Sequence, residues 1–181
     1  MIKLDTNTIS SKFGSYSIFS GVLLIILGTV GFLLPNLMSI GTVIFISTLL
    51  IIGSLIWATH TFRYARSNIM EWIKPTLLFV SGALMLFYPT GGIAAVGMLL
   101  AFYLLLDAFI SFALAQSIRP APNWGWMLIN GIFSLLLAIL FLIGWPATSI
   151  WLVGLYVSIS LFFDGAALIA IGFAINKVDK T

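Results

Sequence analysis

Cysteine is absent from this chain, and charged residues make up only 7% of its 181 positions. The absence of cysteine excludes disulfide bonds and thiolate metal sites. Soluble globular domains carry roughly 25% charged residues. A chain with 61% hydrophobic residues lies outside that range, so its composition predicts an integral membrane protein.

Long stretches of the sequence contain no charged side chain. Such stretches separate Lys12 from Arg63, Lys74 from Asp107, and Arg119 from Asp164. A membrane-spanning helix needs about 20 apolar residues, so the first and third stretches can each hold two helices with a turn between them. The apolar runs do not alternate with polar residues, which favours helices over the strands of a membrane β-barrel.

Three proline-containing turns divide the apolar runs: "LLPNLMS", "FYPTGG" and "GWPATS". The sequence therefore predicts an all-α integral membrane protein with six transmembrane helices arranged as three repeated helical hairpins. We expect a single membrane domain over residues 1–181, with hairpin repeats at about 15–62, 72–116 and 124–175.

The positively charged residues predict the orientation of the chain. Given six spans, every lysine and arginine falls on the same side of the membrane, whereas the proline turns carry none. The positive-inside rule then predicts a multi-pass protein with both termini in the cytoplasm. The net charge of +3 is a topology signal combined with attraction to anionic lipid, and it does not indicate a nucleic-acid partner. The expected partner is the lipid bilayer.

An internal repeat becomes visible when the chain is aligned on Pro35, Pro89 and Pro146, which are 54 and 57 residues apart. Eighteen residues after the second and third prolines come Asp107 and Asp164. Each repeat contains two helices, so successive repeats have the same orientation in the membrane.

The first repeat reads "SGVLLIILGTVGFLLPNLMSIGTVIFISTLLIIGSLIWA": a helix rich in small residues that ends at proline, then a second helix with a late glycine. Three such hairpins in a chain of this size resemble the HdeD-like membrane proteins, from about residue 15 to 175. The resemblance implies a prokaryotic inner-membrane protein that contributes to acid-stress resistance. It supplies no catalytic residue, metal ligand or cofactor site.

Asp107 and Asp164 are the candidate functional residues, because an aspartate at the centre of a membrane helix costs about 2.5–3.5 kcal/mol on insertion scales. The residues four positions away carry hydroxyls that could support them. One interpretation is a protonatable pair that serves a proton or cation pathway, in which facing acids share a proton. The other is that each acid is hydrogen-bonded and ties its hairpin to a neighbour. The supporting hydroxyl residues are Tyr103 and Ser111 for the first acid and Ser160 for the second.

Other residues give little support for catalysis. His60 is the only histidine, which makes a metal site improbable, and no serine has a histidine and an acid in a catalytic spacing. We therefore expect neither enzymatic activity nor a cofactor. Two ridges of small residues favour helix packing or contacts with other membrane proteins or a second copy of the chain. They are Ala166, Ala170 and Ala174 on the last helix, and Gly21, Gly28 and Gly31 on the first.

Two classes of function remain open on the sequence. The first is a non-enzymatic inner-membrane protein that contributes to acid or envelope stress resistance, as the resemblance implies. The second is a small proton-linked transporter or channel that uses Asp107 and Asp164.

Overall fold

The computed structural model describes the backbone of residues 6–64, 66–120 and 122–178, and the side chains of residues 13–64, 66–120 and 122–175. These residues form six α-helices and no strand. Each helix contains a segment long and apolar enough to cross a membrane, which confirms the predicted fold class. The helices are α1 Thr6–Leu33, α2 Pro35–Tyr64, α3 Ile69–Phe87, α4 Pro89–Ser117, α5 Trp124–Ile143 and α6 Ser149–Val178.

Helix ends follow the local sequence. Pro35 and Pro89 are the first residues of α2 and α4, where proline fixes a helical φ and its missing N–H would have no intrahelical partner. Asn68 caps α3 by accepting a hydrogen bond from Met70 N at 3.1 Å. We call the helix ends nearest Pro35, Pro89 and Pro146 the proline ends, and the opposite ends the basic ends.

The described residues form two compact units, and the first contains residues 6–38 and 154–178. In this unit α1 and α6 pack antiparallel through small residues spaced seven apart. A Cβ atom added to Gly21 would lie 2.6 Å from the carbonyl oxygen of Gly165, and one added to Gly28 would lie 2.7 Å from that of Ser158. Such close backbone approach increases van der Waals packing, which drives helix association in lipid.

The second unit, residues 39–153, contains two further antiparallel pairs of the same kind. In the α2·α3 pair, a Cβ atom on Gly82 would lie 2.9 Å from the carbonyl oxygen of Ser47. In the α4·α5 pair, one on Gly131 would lie 3.2 Å from Cβ of Ser111. Within the second unit, α4 packs much more extensively on α5 than on α3.

Pro75 lies inside α3 and explains one contact of the α2·α3 pair. Proline has no N–H, so the carbonyl of Glu71, four residues earlier, loses its helical partner. The hydroxyl of Thr61 on α2 donates to that oxygen at 3.4 Å. In lipid an unsatisfied carbonyl is costly, so this contact supports both the proline and the pairing of the two helices.

The buried positions confirm the internal repeat. Counted from the three prolines, the residues at +12, +19 and +26 are buried in every repeat. A spacing of seven keeps one face toward a neighbouring helix over several turns. The residues are Ser47, Ser54 and Thr61 in α2, Ala101, Ala108 and Ala115 in α4, and Ser158, Gly165 and Gly172 in α6.

The alanine ridge of α6 does not pack within the described part of the chain, and its contact with another membrane protein or a second copy of the chain stays a prediction. Ala166, Ala170 and Ala174 are exposed, whereas Gly165 and Gly172 are buried against α1. The buried face of α6 therefore follows a spacing of seven and lies one residue away from the alanine ridge. The predicted glycine face of α1 is confirmed, because Gly21 and Gly28 are buried against α6.

Candidate functional site

Asp107 lies on α4 beside the buried face that packs against α5, and three polar side chains surround it. Ser134 Oγ donates to Asp107 Oδ2 at 2.6 Å, and Asn130 Nδ2 donates to the same oxygen at 3.3 Å. Asn130 Nδ2 also donates to Ser111 Oγ at 2.9 Å. Two residues of α4 and two of α5 thus form one hydrogen-bonded network, which we call the Asp107 cluster: Asp107, Ser111, Asn130 and Ser134.

Burial differs across the Asp107 cluster. Ser111 and Ser134 are 4% and 7% exposed, whereas Asp107 is half-buried and Asn130 is exposed. Among the described residues, Oδ1 of Asp107 accepts no hydrogen bond. The carboxyl group therefore has one oxygen hydrogen-bonded between the helices and a second oxygen without a hydrogen-bond partner among the described residues.

The small residues around the cluster make this geometry possible. Gly131 and Ala108 are buried in the α4·α5 pair, and a Cβ atom on Gly131 would lie 2.7 Å from the ring of Phe112. The helices consequently approach closely enough for the short side chain of Ser134 to reach across to α4. Hydrogen bonds to charged groups contribute about 1.5–3 kcal/mol in proteins, although interhelical bonds in membranes average about 0.6 kcal/mol.

Three other buried serines form hydrogen bonds within their own helix instead of across an interface. Ser47 and Ser54 on α2 donate to carbonyl oxygens of their own helix, Ile44 O at 2.8 Å and Ile51 O at 2.7 Å. Ser158 on α6 likewise donates to Gly154 O at 2.5 Å. Local bonds of this type let a hydroxyl sit in an apolar interface without an interhelical partner. Of the described helix pairs α1·α6, α2·α3 and α4·α5, only α4·α5 has a network of side-chain hydrogen bonds that crosses its interface.

Asp164 is in a different environment from Asp107. Its side chain is exposed on α6, and no described residue forms a hydrogen bond or ion pair with it. Ser160, one turn earlier, is half-buried and is not hydrogen-bonded to Asp164. The equal spacing of the two acids from their prolines therefore does not give them equal surroundings.

Of the three predicted supporting hydroxyls, the structure brings Ser111 into the Asp107 cluster through Asn130. Tyr103 is exposed and makes no hydrogen bond to Asp107. Ser134 and Asn130 were not among the site residues predicted from the sequence. Both could have been found from their spacing, since residues at i and i+4 share one face of α5.

Neither of the other two repeats has the full set of residues that forms the Asp107 cluster. The position of Asp107 is occupied by Gly53 in the first repeat, and that of Ser111 by Trp57, whose partner on α3 is Lys74. There the Lys74 ammonium lies 5.0 Å from the centroid of the Trp57 ring. In the α6·α1 pair the equivalent positions hold Asp164, Leu168 and Ser20.

The site has few groups that could hold a metal ion or cofactor. The residues that the structure describes contain no group of three or more histidine, aspartate or glutamate side chains suited to a metal. The Asp107 cluster supplies one carboxylate, one amide and two hydroxyls, which suits proton exchange or helix pairing better than tight metal binding.

Cavities occur elsewhere in the second unit. The largest described, about 630 Å³, lies at the proline ends beside Trp145, whose Nε1 donates to Ala94 O at 2.9 Å. Its lining contains no titratable side chain. This cavity therefore does not join the candidate acids to solvent.

Taken together, the helices and their repeated interfaces define a multi-pass membrane protein built from short helical repeats. The chain belongs to the family described as a short repeat of unknown function (DUF308), which matches residues 19–80 and again residues 76–143. No curated protein and no solved structure matches the chain.

Proposed function

We propose that this chain is a non-enzymatic protein of the prokaryotic inner membrane that contributes to acid or envelope stress resistance, as its resemblance to the HdeD-like proteins implies. The observation that carries this proposal is the hydrogen bonding of Asp107. Ser134 and Asn130 hold its Oδ2 between α4 and α5, which is how an acid is retained as part of a packed helix pair. On this proposal, the membrane-embedded repeats themselves perform the stress-related function.

The proposal includes an orientation with both termini in the cytoplasm. Arg63 lies in the last turn of α2, Arg66 lies in the connection to α3, and Lys74 lies five residues into α3. Arg119 lies in the connection between α4 and α5. Positive charge near these two connections supports a cytoplasmic placement of the basic ends.

A deletion strain tests the stress role. Survival after acid shock and after membrane-perturbing treatment should fall on deletion and return when the wild-type gene is supplied. The Asp107→Asn variant should restore survival if it folds, because asparagine can still accept a hydrogen bond from Ser134. Unchanged survival of the deletion strain under both stresses would reject the proposal.

A proton-linked transporter or channel remains the second candidate, because Asp107 is only half-buried and its Oδ1 is free, while Asp164 is exposed. Intramembrane acids commonly mark proton pathways. The test uses vesicles that contain the purified protein and a pH-sensitive dye. A proton flux abolished by the double variant Asp107→Asn, Asp164→Asn, with folding intact, would support this candidate. Equal background leak in both samples would reject proton transport.

A further inference from the structure

We propose that the basic end of the α2·α3 pair binds the phosphate headgroup of an anionic phospholipid, with Lys74 as the central cation. The residues that form this surface are Trp57, His60, Tyr64 and Lys74, which we call the Lys74 platform. All four side chains are exposed.

Charge is the first argument for this ligand. The basic end of the α2·α3 pair carries three cations, Arg63, Arg66 and Lys74, and one carboxylate, that of Glu71. Within the described part of the chain, none of the three cations forms an ion pair with a carboxylate. Their charge is therefore available to an external anion.

The geometry of the Lys74 platform is the second argument. Lys74 Nζ lies 5.0 Å from the centroid of the Trp57 ring. The Trp57 and His60 ring centroids are 5.7 Å apart, and those of His60 and Tyr64 are 4.9 Å apart. Spacings of three and four residues align these rings on one face of α2. An aromatic surface with a cation on it suits the interfacial region of a bilayer.

The turn next to the platform is also held in place. Trp72 Nε1 donates to Arg66 O at 3.2 Å, and the Arg66 guanidinium lies 4.7 Å from the centroid of the Phe62 ring. Asn68 caps α3. These contacts lower the conformational entropy lost when a ligand binds, because the cations are already restricted in position.

Depth in the membrane selects a lipid over a soluble anion. Lys74 follows the first residue of α3 by five positions, which places it about 7–8 Å along the helix from the basic end. Ile73 and Leu77 beside it are exposed and apolar. A phospholipid supplies both the phosphate for Lys74 and the acyl chains for the apolar side chains, whereas a soluble phosphate supplies only the first.

Comparison with the other repeats shows that this surface is not a general property of the fold. Counted from the three prolines, the positions of Trp57 and Lys74 hold Ser111 and Gly131 in α4·α5, and Leu168 and Ser20 in α6·α1. At these positions neither pair has a cation on an aromatic ring, and the cation–aromatic contact of α4·α5, Arg119 with Trp124 at 4.0 Å, lies at the turn between the helices. The lipid site therefore belongs to the α2·α3 pair.

The test measures lipid selectivity with the full chain in phosphatidylcholine vesicles containing a small fraction of spin-labelled phosphatidylglycerol or spin-labelled phosphatidylcholine. We expect the wild-type protein to prefer phosphatidylglycerol by about fivefold, the effect of one lysine near an anionic headgroup. Lys74→Gln should lose most of this preference and Lys74→Arg should keep it. Arg119→Gln is the matched control, since Arg119 lies 4.0 Å from the Trp124 ring centroid at the other turn, and it should leave the preference unchanged.

Three results would overturn the proposal: no preference in the wild type, an equal loss in Lys74→Gln and Arg119→Gln, or displacement of the labelled lipid by inorganic phosphate. The second result would indicate general surface charge, and the third a site for soluble anions. If Lys74→Gln does not fold, Trp57→Leu replaces it, because removing the ring should lower the preference while the lysine charge remains. Lipid selectivity is measured separately from stress survival and from proton flux, so this proposal can fail without affecting the proposed function.

Discussion

Among the buried serines that form hydrogen bonds, the partner lies either in the same helix or in another helix, and this determines what the hydroxyl contributes. Ser47 and Ser158 bond to a carbonyl of their own helix, so their small size matters more than their polarity. Ser134 bonds to a carboxylate on another helix, so its polarity contributes to pairing. Replacing serine by alanine keeps the side chain small and removes the hydroxyl, so it separates the contribution of size from that of polarity.

Ser134→Ala should lower the free energy of unfolding by about 0.6–1.5 kcal/mol, the usual range for an interhelical or intramolecular hydrogen bond. The matched control is Ser160→Ala, which removes a half-buried hydroxyl that is not bonded to an acid. Reversible unfolding in mixed micelles, followed by circular dichroism, gives both values. Equal effects of the two substitutions would contradict a stabilising role for the Ser134 bond.

The two aspartates should respond differently to replacement by leucine. Asp107→Leu leaves the Ser134 hydroxyl without its acceptor and removes one of the two acceptors of Asn130 Nδ2, at a cost of about 1–3 kcal/mol. Asp164→Leu removes an exposed carboxylate without a described partner, so no such cost arises. We therefore expect the Asp107→Leu protein to be the less stable of the two in the same unfolding assay. The reverse order would show that the hydrogen bonds of Asp107 contribute little.

At the scale of the helix, close packing depends on glycine at specific positions. Gly165→Ala places a Cβ 2.6 Å from the carbonyl oxygen of Gly21, a distance that real Cβ atoms do not reach, so α1 and α6 must separate. We expect destabilisation of about 1–3 kcal/mol, as for other overpacked interiors. Gly41→Ala is the control, because no atom lies within 4 Å of the added Cβ. Comparable loss of stability in both variants would contradict the packing of α1 on α6.

The proline in α3 gives a second test of helix pairing. Thr61→Val removes the hydroxyl that bonds to Glu71 O, whose helical partner is missing because of Pro75. Destabilisation by about 1 kcal/mol is expected for the loss of one hydrogen bond. Thr59→Val, by contrast, removes an exposed hydroxyl that bonds to Ile56 O within α2, and it should have little effect on thermal unfolding.

Much of this helical arrangement could be predicted from the sequence. Apolar runs and prolines located all six helices, because length and turn chemistry set those features locally. The helix partners could not be predicted in the same way. Alanine and glycine ridges one residue apart on α6 are equally small, and only the tertiary contact with α1 distinguishes Gly165 from Ala166. For the same reason Ser134 was missed, since its partner lies 27 residues away.

At the scale of the molecule, most of the large apolar side chains described are exposed, with exceptions such as the buried Ile93 and Phe141. Phe19, Leu55, Leu99 and Phe133 are each more than half exposed, whereas small residues fill the interfaces between helices. This distribution is the reverse of a soluble protein, and it suits a bilayer, where outward apolar side chains meet acyl chains and small residues allow close helix contact. The membrane is thus part of the environment that stabilises the fold.

The absence of cysteine permits a direct test of membrane orientation, because each introduced cysteine is the only thiol in the chain. Asn36→Cys lies at a proline end and Ser67→Cys lies in the turn between α2 and α3, and both positions are exposed. The distribution of positive charge predicts that an impermeant maleimide labels Asn36→Cys in intact cells. Ser67→Cys should be labelled only after the membrane is permeabilised. The opposite pattern would place the basic ends, and with them Lys74 and its proposed lipid site, on the outer side of the membrane.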